Sequence, residues 1–406
     1  MDDNRVIQYI EANWDSSVKQ VRSDKGNLIG MPYPYTVPAV GYYDEIYYWD
    51  AFFANLGLAE SDRWDLVKSN TDNMLFLVEK YGFVPNGNRT YYLGNSQPPL
   101  LSEMVRQVFE HYGDYAWLKG AYSALKKEYD FWMSSRVTPI GLNRYGGRSA
   151  DKPLNVKASD FCRRIQYSPP DKTDQQLVDH YLLCCEAGWD LTPRFGFESW
   201  EYAQIDLNSL LYLLEKNMAK FATFVAVDEE ALWKERAERR NALVQKYMLN
   251  GGLFYDYNFV NSKFSDIFSA ASLYPLFVGL ATPEQAEKTV NNLYRLEAEY
   301  GIFACEKNDV PGEMRWNYPS GCSCLEYIAV RALDNYGYKE EAMRLAEKGV
   351  RLIEKVFDET GCLWEKYNVV EGNTNVLRRA TMPSMMGRIA GAYMLLKKYV
   401  RNKSFN

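Results

Sequence analysis

The chain has 406 residues, a formal net charge of −6 and 47% hydrophobic residues, with its apolar runs short and broken by charges. No run approaches the roughly 20 apolar residues of a membrane span, and an acidic balance disfavours nucleic acid, which is met by clustered Lys and Arg. The length exceeds that of a usual compact domain, and one large closed unit over residues 1–406 is the expectation, because a ring of repeated elements can run this long around a single core.

Met74, Leu75 and Val78 recur at helical spacing and run toward Gly82, a residue suited to a left-handed helix end. Leu207, Leu210, Leu211, Leu214 and Met218 follow the i, i+3, i+4, i+7, i+11 pattern, with Asp206 placed to cap the first turn. Residues 252–257 form the best of a few strand-like runs. Thr282-Pro283-Glu284-Gln285 combines an N-cap, a proline at the first helical position and a capping-box glutamine. It predicts a helix through Val290, Leu293 and Leu296 that stops near Gly301. Leu325, Ile328, Ala332 and Leu333 lead to Gly337, and after a very short connection another helix covers 340–357. The chain reads as mainly α: helical hairpins joined alternately by short turns and by long loops, with the long loops gathered at one end. An open solenoid satisfies the same local signals.

Two histidines, His111 and His180, are too few for a His-rich metal centre or a Ser-His-Asp triad and read as packing or surface residues. The seven cysteines are an odd set without paired CxxC spacing, which points to reduced thiols. Neither a metal nor a cofactor is expected. The first residues show no basic segment followed by an apolar stretch, so no secretory signal and a cytoplasmic location are expected. Oligomeric state is left open.

Five loops mix aromatics with carboxylates and amides, where solvated polar residues would suffice. They are Gly41 to Phe53, Gly82 to Pro99, Glu186 to Phe195, Arg315 to Gly321 and Leu363 to Val369. Each alone has an ordinary explanation as a turn or a cap beside core aromatics. Together they supply Trp platforms, amides, arginine and paired carboxylates, which is what a sugar pocket requires.

In order and spacing these segments resemble the trehalase family of inverting glycoside hydrolases. The matching stretches are Tyr47-Tyr48-Trp49-Asp50, Phe83 to Arg89, Ser96-Gln97-Pro98-Pro99-Leu100, Glu186-Ala187-Gly188-Trp189-Asp190, Ile205-Asp206-Leu207-Asn208 and Glu365-Lys366-Tyr367. The resemblance spans roughly Gly41 to Tyr367 and implies an all-α (α/α)6 toroid with a pocket at one end. It places Asp190 as general acid and Glu365 as general base, and Trp49, Asp50, Asn86, Gln97, Trp189 and Trp316 as residues that bind sugar rings. Trp189 is expected to desolvate Asp190, and Lys366 to favour an ionised Glu365.

The chain also departs from the family pattern. Tyr42 stands where trehalases carry an arginine, Asn95 where they carry a second, and Asn317 where they carry an aspartate; the glycine-rich lid has no clear counterpart near Gly372 to Gly387. In the family these sites mainly grip the leaving-group half of trehalose, so Tyr42 and Asn317 join the candidate substrate residues. Arg144, Arg148, Arg378 and Arg379 lie in loops as candidates for a rebuilt positive subsite. The expected partner is a small carbohydrate, with no nucleic acid and no membrane. The expected activity is hydrolysis of a small α-glucoside, trehalose or a close relative. The alternatives are a mannosylglycerate, glucosylglycerate or other α-linked oligosaccharide hydrolase, and a non-catalytic carbohydrate-binding or sensor protein.

Overall fold

The computed structural model describes residues 4–146, 156–376 and 385–405. Among these residues fourteen α-helices form: α1 (Arg5–Asn13), α2 (Tyr48–Glu60), α3 (Trp64–Tyr81), α4 (Leu101–Tyr112), α5 (Tyr115–Ser135), α6 (Ala158–Ile165), α7 (Asp174–Glu186), α8 (Ile205–Val225), α9 (Glu230–Tyr247), α10 (Tyr274–Phe277), α11 (Pro283–Val290), α12 (Ser323–Asn335), α13 (Lys339–Thr360) and α14 (Gly387–Asn402). Helices α2, α4, α8, α10, α12 and α14 pack each on the next, and α14 returns onto α2, so an inner ring closes. In chain order α1, α3, α5, α9, α11 and α13 alternate with them, and the α6–α7 hairpin is an insertion with its own apolar cluster around Phe161 and Leu177.

Burial separates the two rings. Helix α2 buries every residue from Tyr48 to Leu58, the signature of a helix surrounded by protein. Outer α13 buries Ala342, Leu345, Ala346, Gly349, Ile353 and Val356, one stripe at three- and four-residue spacing, and turns its Lys and Glu outward.

Ring closure depends on two glycines. A Cβ at Gly391 of α14 would stand 1.8 Å from the Phe53 carbonyl oxygen, and one at Gly57 of α2 would stand 2.7 Å from the Gly391 Cα, so the helices cross with backbones in contact. Gly391→Ala is expected to lower stability by about 1–3 kcal/mol through overpacking. Gly120→Ala in α5, where an added Cβ meets nothing within 4 Å, should be neutral or stabilising. Urea midpoints of the two variants provide the comparison.

The capping box at Thr282 forms as expected: the Gln285 backbone N–H donates to the Thr282 hydroxyl at 3.3 Å, and the Thr282 N–H to the Gln285 side chain at 2.9 Å. Gly82 ends α3 in the left-handed region, its N–H bonded to the Val78 carbonyl. Three expectations are corrected. Helix α11 stops at Val290, where the Asn292 amide caps the Lys288 carbonyl; a 3-10 turn over Leu293–Arg295 and a short hairpin follow, and Arg295 turns to Glu306. Asp206 does not cap α8, because the buried Arg194 guanidinium takes its carboxylate. The run 252–257 splits into two strands, Leu253–Phe254 and Tyr257–Asn258, in separate small sheets. No described helix is long and apolar enough to cross a membrane.

Candidate active site

The amino-terminal ends of the inner helices meet at one end of the ring. Trp49 and Asp50 lie in the first turn of α2, Gln97 just before α4 and Arg388 at the second position of α14. Asp190 follows α7 through a turn at Gly188, whose φ is +75° and whose added Cβ would come within 3.0 Å of the Trp49 ring; a larger residue would push the turn off α2. Glu365 lies in the loop after α13. A two-residue antiparallel ladder between Ser320–Gly321 and Tyr367–Asn368 ties that loop to the one carrying Arg315. These elements enclose a cavity of about 600 Å³ whose wall includes Trp49, Asp50, Asp190, Arg315, Glu365 and Arg388.

Three cations converge on Glu365. Lys366 Nζ and Arg388 Nη2 donate to its Oε1 at 2.6 and 2.8 Å, and Arg315 Nη2 donates to its Oε2 at 2.9 Å. Burial pushes this carboxyl up, but Lys366, Arg388 and Arg315 outweigh burial and hold it well below the usual carboxylate range. Arg315 Nη1 donates to Asp190 Oδ2 at 3.2 Å, and Trp316 Nε1 lies 3.4 Å from Asp190 Oδ1. One planar guanidinium therefore spans both carboxylates, which puts the contacted oxygens within roughly 8 Å of each other. Asp50 is pushed up by burial, against the pull of Arg388, whose Nη1 donates to its two oxygens at 3.1 and 3.3 Å.

Beneath the cavity runs a column of charges and rings. Lys366 Nζ sits 4.1 Å from the Trp316 ring centre, Trp316 stacks on Trp189 at 5.4 Å, and Arg194 lies 4.6 Å from the Trp189 ring. Arg194 is fully buried between Asp206 and Asp256, each with an oxygen at 2.8 Å. The column fixes the Lys366 ammonium against Glu365 through ring quadrupoles and packing.

Of the residues expected from sequence, the structure brings Asp190, Glu365, Trp49, Asp50, Asn86 and Gln97 to this one cavity. The others stand off its wall. Trp189 and Trp316 are buried within the column, so their faces are taken by Arg194, by Lys366 and by each other. Asn317 is turned to the Asn308 amide, which donates to its side-chain oxygen at 2.7 Å, and Tyr42 is 51% exposed and not part of the wall. Asn95 lines the cavity, but its amide donates to the Leu182 carbonyl at 2.8 Å, a scaffold role. Arg144 lies in the loop after α5, away from the wall; Arg148, Arg378 and Arg379 lie outside the described residues.

Sequence reasoning missed two contacts. Arg315 was visible only as a member of an aromatic loop, and Arg388 was not singled out at all. A signal for Arg388 exists, since Gly387-Arg388-Ile389-Ala390-Gly391 sets an arginine among small and apolar residues, where a buried charge must be paired. His111 stacks on Trp64 at 3.9 Å, and His180 is buried and pushed down to about 3 by that burial. No disulfide joins any of the seven cysteines. Among the described residues no group of three or more His, Cys, Asp or Glu is arranged to hold a metal ion.

Comparison with known proteins gives concordant results. The trehalase family profile matches residues 2–380. Among solved structures, the chain is similar to neutral trehalase Nth1 from Saccharomyces cerevisiae, with 30% identity, a TM-score of 0.79, and 97% of this chain and 79% of that one covered. A GH63 mannosylglycerate hydrolase from Thermus thermophilus, in complex with Tris and D-glycerate, shares the fold at 17% identity and a TM-score of 0.64, with 97% and 98% covered. A rhamnosidase from Klebsiella oxytoca with rhamnose bound shares it at 10% identity and a TM-score of 0.56, with 100% and 65% covered.

Proposed function

Because the chain belongs to the trehalase family of glycoside hydrolases, we propose that it hydrolyses a small α-glucoside, trehalose or a close relative, with inversion at the anomeric carbon. Asp190 is the general acid and Glu365 the general base. Asp190 gives its proton to the glycosidic oxygen as the C–O bond breaks. Glu365 takes a proton from a water that forms the new C–O bond on the opposite face of the ring. Asp50 accepts hydrogen bonds from sugar hydroxyls, Trp49 offers an apolar face, and Asn86 and Gln97 complete the same subsite.

The observation that carries this reading is the span of Arg315. Two acidic groups distant in sequence face one cavity within roughly 8 Å of each other, close enough to flank a single glycosidic bond. The cations around Glu365 support the base role, because that carboxylate is ionised at working pH. The test is a proton NMR time course on an α-glucoside. The β-anomer should appear first and the α-anomer only by mutarotation; α-anomer first would rule out the mechanism. Binding without turnover would instead make the protein a carbohydrate sensor.

A further inference from the structure

Arg315 stands where the proposed chemistry has to happen, so a role for it there rests on the proposed glycosidase function. Its guanidinium fills the gap between Asp190 and Glu365, the place of the glycosidic bond and the attacking water. It is also the third cation on Glu365, and a base takes a proton from water best when its pKa lies near the working pH. With Lys366, Arg388 and Arg315 all bonded, Glu365 is held far below that optimum.

Of the three cations only Arg315 is placed to leave. The Arg388 side chain is 7% exposed and also anchored on Asp50, and that of Lys366 is 3% exposed and seated over Trp316. The Arg315 side chain is 20% exposed, comes from a loop, and spends both ion pairs on the two reacting groups. Burial opposes its charge, yet Asp190 and Glu365 hold it firmly protonated. A guanidinium drawn off them needs another anion, since Arg388 lines the same space and the other carboxylates of the wall, Asp50 and Asp160, are paired with Arg388 and Arg163. The charge count points the same way. Asp50, Asp190 and Glu365 balance Lys366, Arg315 and Arg388 only while Asp190 is ionised. The proton that the acid step requires on Asp190 leaves one positive charge over.

We propose that Arg315 latches the empty site shut, and that the leaving group of the preferred substrate carries an anion, a carboxylate or a phosphate, which draws the guanidinium off Asp190 and Glu365 and opens the pair. Either anion matches the two-pronged donor geometry of arginine. Arg315 is thereby a specificity residue, and through Glu365 a positioning residue.

The test uses the whole protein and two matched pairs of α-glucosides: trehalose with trehalose 6-phosphate, and glucosylglycerol with glucosylglycerate. α-Glucosyl fluoride, whose leaving group needs no contact with the protein, is the reference. In the wild type at least one charged member should exceed its neutral partner in kcat/KM by about 10²-fold, the scale of a charge-assisted hydrogen-bond pair. The pair that responds tells phosphate from carboxylate. Arg315→Gln should bring that ratio to about one, and Arg315→Lys, which keeps the charge without the fork, should recover part of it.

A structural role alone would not move the pH profile. Glu365 is faced by Lys366 on its own loop, Arg388 from α14 and Arg315, and across the cavity by Asp50, Asp190 and Tyr43. Removing one cation weakens the force that depresses the base, so in Arg315→Gln the acidic limb of fluoride hydrolysis should move to higher pH. Equal rates within both pairs in the wild type, or a ratio that survives in Arg315→Gln, would overturn the latch while inverting hydrolysis of the fluoride kept the glycosidase reading intact. A wild type inert toward the fluoride and toward all four glucosides would end both.

Discussion

Glu365→Gln is expected to lower kcat by about 10²–10⁴-fold, the scale of losing a positioned base. The glutamine is nearly isosteric and still accepts a hydrogen bond, so the substrate site keeps its shape; what disappears is the capacity to take a proton from water. Two consequences separate this loss from misfolding. Azide, an anion that needs no deprotonation, should restore turnover of α-glucosyl fluoride and give the β-glucosyl azide, because it attacks from the face where Glu365 stands. Stability should respond to pH with a defined sign. The folded carboxyl of Glu365 is depressed below its unfolded value, so its contribution is fully present above about pH 4.3 and is lost as pH falls toward the folded pKa. The glutamine variant lacks that contribution and leaves Lys366 and Arg388, both buried, short of a partner. Its Tm deficit should be largest near neutrality and should narrow in acid. A variant with wild-type turnover would remove Glu365 from the mechanism.

What the sequence made legible was local pattern and the order of motifs. The Thr282 capping box, the Gly82 helix end and the helix over 340–357 are all set by residues close to each other in the chain, and each formed. The early stop of α11 was missed because the apolar period runs on through Leu293 and Leu296 while Asn292 and Arg295 bond elsewhere. Asp206 shows the same limit at the site. Its position suits a cap, but a buried arginine twelve residues earlier competes for the carboxylate and wins. Trp189 and Trp316 were identified as aromatic and close to the acid, correctly, yet sequence has no means to tell a ring that faces sugar from one stacked between a cation and a second ring. The clamp on the carboxylates was hidden for a further reason. Arg315, Glu365 and Arg388 share no periodicity: the ladder between Ser320–Gly321 and Tyr367–Asn368 joins the loops of the first two, and α14 closing onto α2 brings in the third.

Asp190→Asn should cost about 10²–10⁴-fold with an alcohol leaving group and far less with fluoride. An amide cannot deliver a proton to the glycosidic oxygen, so a departing sugar or glycerate must leave as an alkoxide; fluoride, the anion of a much stronger acid, departs without that help. The ratio of the two losses therefore reports the acid role itself. The surroundings of Asp190 make the result informative about the latch as well. Arg315 Nη1 bonds Asp190 while Nη2 bonds Glu365, and neutralising the first partner leaves the guanidinium with Glu365 alone. If Arg315 restrains the base, Asp190→Asn should tighten that grip and hold the acidic limb of residual fluoride hydrolysis at low pH, whereas Arg315→Gln raises it. The double variant should fall short of the sum of the two changes, because part of the aspartate's effect on the base passes through the side chain that has been removed.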